Sequence, residues 1–425
     1  MKDTRFPAKT TKQQSIISAE QEEAERDYRF TGREIVVLDN AVQHTAIDTH
    51  ARTVSLRMAN IRDYQSAASP MVAVSKALAE ADGVVFNHLR VAVVNARHTA
   101  QVHKLTAAKS ANRIFLSSEP ERYVYALGKK KPVAKIPVRA YDDDQRATWG
   151  IHATNVLAST YTGKGIRIAI LDTGMSMDHP DFKGRKIKSK SFVNQAVEDR
   201  EGHGSHCAGV AAGNICTDKG FRYGVATKAD LYIAKVLKNN GEGEDNFVLA
   251  GIEWALENKC RIISLSLGAS VKKGETYYDS YETVAQRALR AGTLIIAAAG
   301  NDSLRRRGKI KPVNHPANCP SILAVGAIDP YNQVADFSCG GSRRKGDQVN
   351  LAAPGVDIFS SSQKSRYEVL SGTSAATPFV AGMAALLWEK YPRASADAIW
   401  LKLVDAARRS KLKKTDVGAG IVFFP

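Results

Sequence analysis

No stretch of this sequence is apolar for long enough to span a bilayer, which excludes a helical membrane protein. The opening stretch, MKDTRFPAKTTKQQSIISAEQEEAERDY, lacks the apolar core of a secretory signal. A cytoplasmic protein is expected, or a secreted one whose leader stands upstream of Met1. Cysteine is scarce: five residues, an odd count, with no C-x-x-C pair. That argues against a zinc cluster or a disulfide framework, and for free thiols in a reducing compartment. No internal repeat is visible.

What is present is a length of 425 residues, enough for two or three folded units, and an ordinary hydrophobic share of 44%. The formal charge of +17 is large. Basic clusters stand at Lys129–Lys131, Arg305–Arg307, Arg343–Lys345 and Arg408–Lys414. They are far apart and carry no interleaved aromatics. Solvated loops are therefore expected, and a nucleic-acid partner is not.

Residues 1–30 are polar, with an acidic helical stretch near Glu20–Glu25, and read as a flexible tail. Residues 31–127 mix short elements. Strands are expected at Glu34–Leu38, Val84–Phe86, Leu89–Val94, Arg113–Leu116 and Tyr123–Tyr125, and helices at Met71–Ala81 and Thr99–Ser110. That mixture predicts a small α+β domain. Gly128-Lys129-Lys130-Lys131-Pro132 breaks the pattern, and residues 128–147 read as a linker. Over 148–425 strands alternate with helices. Strands are expected at Ile166–Leu171, Leu231–Leu237, Arg261–Leu267, Thr293–Ala299 and Ser321–Ala327, and helices at Phe247–Leu256, Thr283–Arg290 and Thr377–Trp388. Near-continuous apolar strands with helical crossovers predict an α/β unit around a mostly parallel sheet. In such sheets sites form beyond the carboxyl ends of the strands.

Three stretches place reactive side chains at such ends. Asp172 closes a strand in Ile170-Leu171-Asp172-Thr173-Gly174. Gly202-His203-Gly204-Ser205-His206-Cys207-Ala208-Gly209 sets His203 at a helix start among small residues. Two histidines three apart lack a third metal ligand at fixed spacing, so one reads as a general base and the other as structural. Ser371–Pro378 (SGTSAATP) sets Ser374 at a helix N-terminus. Free N–H groups and the helix dipole there suit a nucleophile whose substrate becomes an oxyanion. Alone, each feature also fits a capping Asp or Ser or a packed His. Together, the order Asp172, His203, Ser374 is one of the recurrent arrangements of a Ser-His-Asp triad.

With these motifs the chain resembles the subtilisin-like serine proteases, the subtilase family. DTG at Asp172, HGSHCAG from His203 and GTSAATP from Gly372 match three family signatures. Ala297-Ala298-Ala299-Gly300-Asn301 matches a fourth, the oxyanion-hole asparagine segment. The cysteine after His206 is similar to that of proteinase K-like members. The resemblance covers 148–425 and implies a subtilisin-like doubly wound sheet with flanking helices. It implies a serine endopeptidase acting on polypeptides, with no cofactor required for catalysis. Ser374 would be the nucleophile, His203 the base and Asp172 its orienting acid. Asn301 and the Ser374 backbone N–H would hold the oxyanion. Substrate would add as a strand between Ser266-Leu267-Gly268 and Gly241-Glu242-Gly243. Ala298, Ala299 and Gly300 would line the pocket for the residue before the cut.

Residues 31–127 resemble the family's propeptide, a ferredoxin-like unit that assists folding and then inhibits. The chain's own N-terminal domain is thus an expected intramolecular inhibitor. Its end, Glu119–Leu127, resembles a tail lying in the active site, which predicts self-cleavage between Leu127 and Gly128. Acidic Asp199, Glu201, Glu242, Glu244, Asp245 and Asp302 are expected near the cleft, where they would favour basic residues beside the cut. Asp181 matches one ligand of a family calcium site, but Asn214–Lys219 lacks the expected loop composition. Structural calcium is an open expectation on that single ligand. The alternative reading is a catalytically silent binding protein on a protease fold.

Overall fold

The computed structural model describes residues 28–40, 42–64, 73–107, 113–128, 141–342, 344 and 346–425. The expected helical stretch Glu20–Glu25, the basic run Lys129–Lys131 and the outer ends of the helices expected at Met71 and Ser110 lie outside the described residues. So do two residues of the Arg343–Lys345 cluster.

The smaller unit runs β1 (Phe30–Leu38), α1 (His44–Arg52), β2 (Met58–Asn60), α2 (Ala73–Glu80), β3 (Gly83–Phe86), β4 (Val91–Val94), α3 (Thr99–Ala107) and β5 (Phe115–Ala126). Its strands lie in the order β5-β1-β4-β3-β2. With short β2 and the extra helix α2 set aside, this is the ferredoxin-like βαββαβ arrangement. β5 is one strand of 12 residues where two were expected. Polar Ser117–Glu121, with Pro120 inside it, hid the middle. Those residues pair on one side only, with β1, and such an edge tolerates proline. The end of β5 then leaves the smaller unit and pairs with two strands of the larger one.

The larger unit runs α4 (Trp149–Ala153), β6 (Arg167–Asp172), β7 (Ile187–Ser191), α5 (His203–Ala212), β8 (Asp230–Lys235), β9 (Glu242–Glu244), α6 (Asp245–Glu257), β10 (Ile262–Leu265), β11 (Leu267–Gly268), α7 (Asp279–Arg290), β12 (Leu294–Ala298), β13 (Leu323–Ile328), β14 (Leu351–Pro354), β15 (Ile358–Ser361), β16 (Tyr367–Leu370), α8 (Thr373–Lys390), α9 (Ala396–Ala406) and α10 (Lys414–Val417). Seven strands form a wholly parallel sheet ordered β14-β13-β12-β10-β6-β8-β7. Its central strand shows why the apolar runs are continuous. Ile168 and Ile170 point into the core under α8, while Ala169 and Leu171 point into the core under α6 and α7. Both faces are covered, so neither alternate position can be polar. The strand order reverses around β6, and a crevice opens there beyond the carboxyl ends.

The expected linker is shorter than 128–147. The backbone N–H of Trp149 donates to Asp143 Oδ1 at 2.7 Å and that of Ala147 to Asp144 Oδ1 at 2.8 Å. Ala147 is fully buried in the main core. Residues 141–147 therefore pack with the larger unit. Among the described residues no helix is long and apolar enough to cross a membrane.

Candidate active site

β6 ends on Asp172, and α5 begins on His203, so the two side chains meet at the crevice. His203 Nδ1 lies 2.8 Å from Asp172 Oδ1, and both residues are buried. The Thr173 N–H donates to the same carboxylate oxygen at 2.7 Å and fixes its plane. Burial opposes a charge on His203. The Asp172 carboxylate, with help from Cys207, outweighs burial and holds the imidazole well above its ordinary range. His206, one helical turn on, behaves in the opposite way. Burial pushes it down to about 3, and its Nε2 meets the carbonyl of Ile358 at 2.8 Å. His206 is a neutral packing residue, and His203 is the one facing a carboxylate.

α8 delivers the third group in its first turn. Ser374 Oγ donates to the carbonyl oxygen of Leu127 at 2.6 Å. Asn301, just past β12, donates its Nδ2 to the same oxygen. Its orientation is set from behind, because Asn301 Oδ1 accepts from the Thr373 N–H and Oγ1, both at 2.9 Å. With Oδ1 occupied, the amide nitrogen must face the crevice. The expected second donor was the Ser374 backbone N–H. It makes no hydrogen bond to Leu127 O, and the hydroxyl stands there instead. Among the described residues His203 Nε2 has no hydrogen-bond partner. A Cβ placed on Gly128 would lie 3.0 Å from that nitrogen and 3.7 Å from Ser374 Oγ. Base and nucleophile thus flank the Leu127–Gly128 bond.

The cleft is occupied by the protein's own strand. β5 is sandwiched antiparallel between β9, with Tyr123, Val124 and Tyr125 opposite Glu244, Gly243 and Glu242, and β11, with Tyr125 and Ala126 opposite Gly268 and Leu267. Two more backbone bonds run from Ala126 N to Gly241 O at 2.9 Å and from Leu127 N to Ser266 O at 3.2 Å. Ser266, Leu267, Gly268, Gly241, Glu242 and Gly243 therefore all lie along the strand. The Leu127 side chain passes Gly268, where an added Cβ would sit 3.2 Å from Leu127 Cδ1. Ala298 and Ala299 are fully buried, and the Asn314 amide fills the space a side chain on Gly300 would need.

Several expectations need correction. Asp199 is buried, not on a rim. Its carboxylate accepts from Thr173 Oγ1, the N–H groups of Glu201, Gly202 and Ser205, and Ser205 Oγ, all at 2.7–3.0 Å. It ties the end of β6 to the start of α5 and so fixes the spacing of Asp172 and His203. Its place before a helix start was the available signal. Asp245 is buried too, bonded to the Arg122 N–H, Tyr281 and His315. Glu201 accepts from the His203 N–H, and Asp302 from Ser270 Oγ. Only Glu242 and Glu244 meet basic side chains of the smaller unit, Arg29 and Arg33 respectively. Asp181 is no open calcium ligand. Thr217, Tyr223 and Tyr367 donate to its two oxygens at 2.5–3.0 Å. It belongs to neither group of His, Cys, Asp and Glu side chains close enough to share an ion among the described residues.

Known proteins fit this geometry. The model of the subtilase family matches residues 163–421. Subtilisin E of Bacillus subtilis is 35% identical over 312 residues, covering 72% of this chain and 75% of its own. A thermostable alkaline protease of Halalkalibacterium halodurans is 40% identical over 253 residues, covering 58% and 64%. The major intracellular serine protease of Bacillus subtilis is 32% identical over 285 residues, covering 64% and 85%. The solved structure of sphericase superimposes with a TM-score of 0.59 at 30% identity, spanning 67% of this chain and 100% of that one. By sequence and by fold the chain belongs to the subtilase family, and it is a subtilisin-like serine endopeptidase.

Proposed function

We propose that Ser374, His203 and Asp172 carry out the hydrolysis, and that the chain is a self-inhibited zymogen cutting its own Leu127–Gly128 bond. The observation that carries this reading is the Leu127 carbonyl, which receives Ser374 Oγ at 2.6 Å and the Asn301 amide together. Ser374 Oγ forms a bond to the Leu127 carbonyl carbon while its proton passes to His203 Nε2. Asp172 stabilises the resulting imidazolium through Nδ1. The carbonyl oxygen takes up negative charge and is held by Asn301 Nδ2. The Leu127–Gly128 bond then breaks, and His203 returns its proton to the Gly128 amine. Water, deprotonated by His203, releases the acyl group from Ser374. Protein groups fill every role, and the hydrolysis in this family needs no cofactor.

Inhibition follows from the same contacts. After the cut, β5 remains paired with β9 and β11 and keeps other polypeptides out. All five cysteines are free and buried, which fits a reducing compartment such as the cytoplasm. Mass spectrometry of the purified protein beside Ser374→Ala tests the reading. The wild type should appear as a fragment ending at Leu127 and one starting at Gly128, and the variant should stay whole. A fully active protein that keeps Met1 and an uncut chain would overturn it.

A further inference from the structure

Arg122 is the sixth residue before the proposed cut and lies on β5. It is 2% exposed, very low for an arginine. Its surroundings come almost wholly from the larger unit. The N–H donates to Asp245 Oδ2 at 2.9 Å. One guanidinium nitrogen donates to the Ser270 carbonyl at 3.2 Å and the other to the Glu275 carboxylate. The guanidinium carbon stands 4.6 Å from the Tyr278 ring centre. Glu275 is held in turn, since its other oxygen accepts from the Lys272 N–H at 2.8 Å. Among the described residues the smaller unit adds only the Phe30 ring, at 5.4 Å.

Two other arginines of the smaller unit meet acidic residues of β9, Arg29 with Glu242 and Arg33 with Glu244. They precede β5 or lie in β1, outside the cleft. A substrate strand that takes the place of β5 reproduces the position of Arg122 and of neither other arginine.

We propose that Asp245, Ser270, Glu275 and Tyr278 form a substrate subsite that selects arginine six residues before the scissile bond. This rests on the reading that Leu127 marks the cut. The Asp245 contact goes to backbone and serves any residue. Discrimination comes from Glu275, the Ser270 carbonyl and the Tyr278 face. Two acceptors in different directions and a flat ring suit a planar fork of donors, whereas lysine offers one nitrogen. The contact is remote from the reacting atoms and equal in ground and transition states, so it acts on KM.

The test uses the full-length protein after it has processed itself and its smaller unit has been separated away, because docked β5 would otherwise block the cleft. It is given peptides copying residues 121–130, with Arg, Lys or Ala in place of Arg122. Arg should exceed Ala by about tenfold in kcat/KM, mostly through KM, with Lys between them. Glu275→Gln, at a partly exposed side chain, should shrink the Arg advantage to about twofold and leave the Ala peptide unchanged. Equal cleavage of the three peptides, or an Arg preference untouched by Glu275→Gln, would overturn the subsite and spare the protease reading. Failure to cleave any of them would sink both.

Discussion

The two units bury their sheets in different ways. The large sheet lies between layers of its own helices. Ile168, Ile170 and Val325 pack with Phe379 and Val380 of α8 on one side, and Leu171, Ile263 and Leu265 pack with α6 and α7 on the other. The small sheet closes one face wholly for itself, where Val36, Leu38, Val85 and Val94 meet Ile47 of α1 and Val102 of α3. Residues of its other face, Ile35, Val84, Phe86, Val91 and Val93, share a cluster with Val74 and Ala77 of α2 and with α6 and α7 of the larger unit. Polar contacts follow the same line. Glu119 of β5 accepts from the N–H groups of Asp279 and Ser280 at the start of α7, at 2.7 and 3.1 Å. The larger unit holds a complete core and all the residues of the proposed reactive centre. The smaller unit holds half a core and the strand that fills the cleft.

If the chemistry resides in the larger unit alone, its variants should remove catalysis and leave docking intact. Ser374→Ala should lower kcat by about 10⁶, a figure measured on a subtilisin, with the unprocessed chain still cooperative in thermal unfolding. Asn301→Ala should lower kcat by about 10²–10³, or roughly 3–4 kcal/mol, again as measured on a subtilisin. KM on a peptide should change by no more than about threefold. A loss in KM alone would mean that Asn301 binds substrate without stabilising its charged intermediate.

The smaller unit should fail in the complementary way. Residues 1–128 alone should show no cooperative unfolding transition and gain one when mixed with the processed larger unit, read by circular dichroism. A cooperative transition without the partner would erase the contrast. Val124→Asp is a gentler probe. Val124 is fully buried beside Gly243 and Leu237, so a carboxylate there loses its water without a partner. Its inhibition constant should rise by about 10², roughly 3 kcal/mol, with kcat of the processed enzyme unchanged.

The sequence made some of this legible for a physical reason. A strand buried on both faces is apolar nearly throughout its interior, Ser264 of β10 being the exception, so β6, β10, β12 and β13 stand out. Three catalytic-type residues among glycines and alanines stand out because close packing requires small neighbours. Elements with few apolar residues did not. In α1 only Ile47 and Ala51, four residues apart, face the core, and β7 reads Ile-Lys-Ser-Lys-Ser. α9 is rich in apolar residues, but of these only Ala396, Ile399 and Leu403 are buried, and its start is marked by Ser395 accepting from the Ala398 N–H at 3.2 Å. β11 has two residues and exists as a strand because β5 lies beside it. Asp245 looked like a rim charge because its partners Arg122, Tyr281 and His315 lie on other elements, whereas most partners of Asp199 lie within six residues of it, at the helix start that follows. A donor several elements away leaves no local trace, so burial of a carboxylate is the feature hardest to see in advance.

Glu253 is the clearest case, and it yields the smallest of the expected effects. It sits on α6 of the larger unit, fully buried, and accepts from the His88 and Leu89 N–H groups of the smaller unit at 3.0 and 3.1 Å. Burial pushes its pKa up to about 7; the two N–H groups and Arg62 pull it down, and Glu257 adds to the rise. Once the units separate, Glu253 meets water and titrates near the usual value of about 4.3. The docked form therefore binds a proton more tightly than the separated form. Linkage then fixes the sign: docking is strongest at acidic pH and weakens as pH rises through about 7. Neighbouring His88 is pushed down by burial and by Arg62, so the docked form holds its proton more weakly than the separated form, and His88 opposes Glu253 on the acidic side of this window. The inhibition constant of the smaller unit should rise about tenfold between about pH 5.5 and pH 8. Measuring that constant, not the rate, separates docking from the titration of His203. Glu253→Gln keeps an acceptor for an N–H group and removes its titration, so the rise should shrink to what His88, Glu119 and Glu121 contribute. An unchanged slope in that variant, or tighter inhibition at alkaline pH in the wild type, would show that Glu253 does not govern the pH dependence of docking.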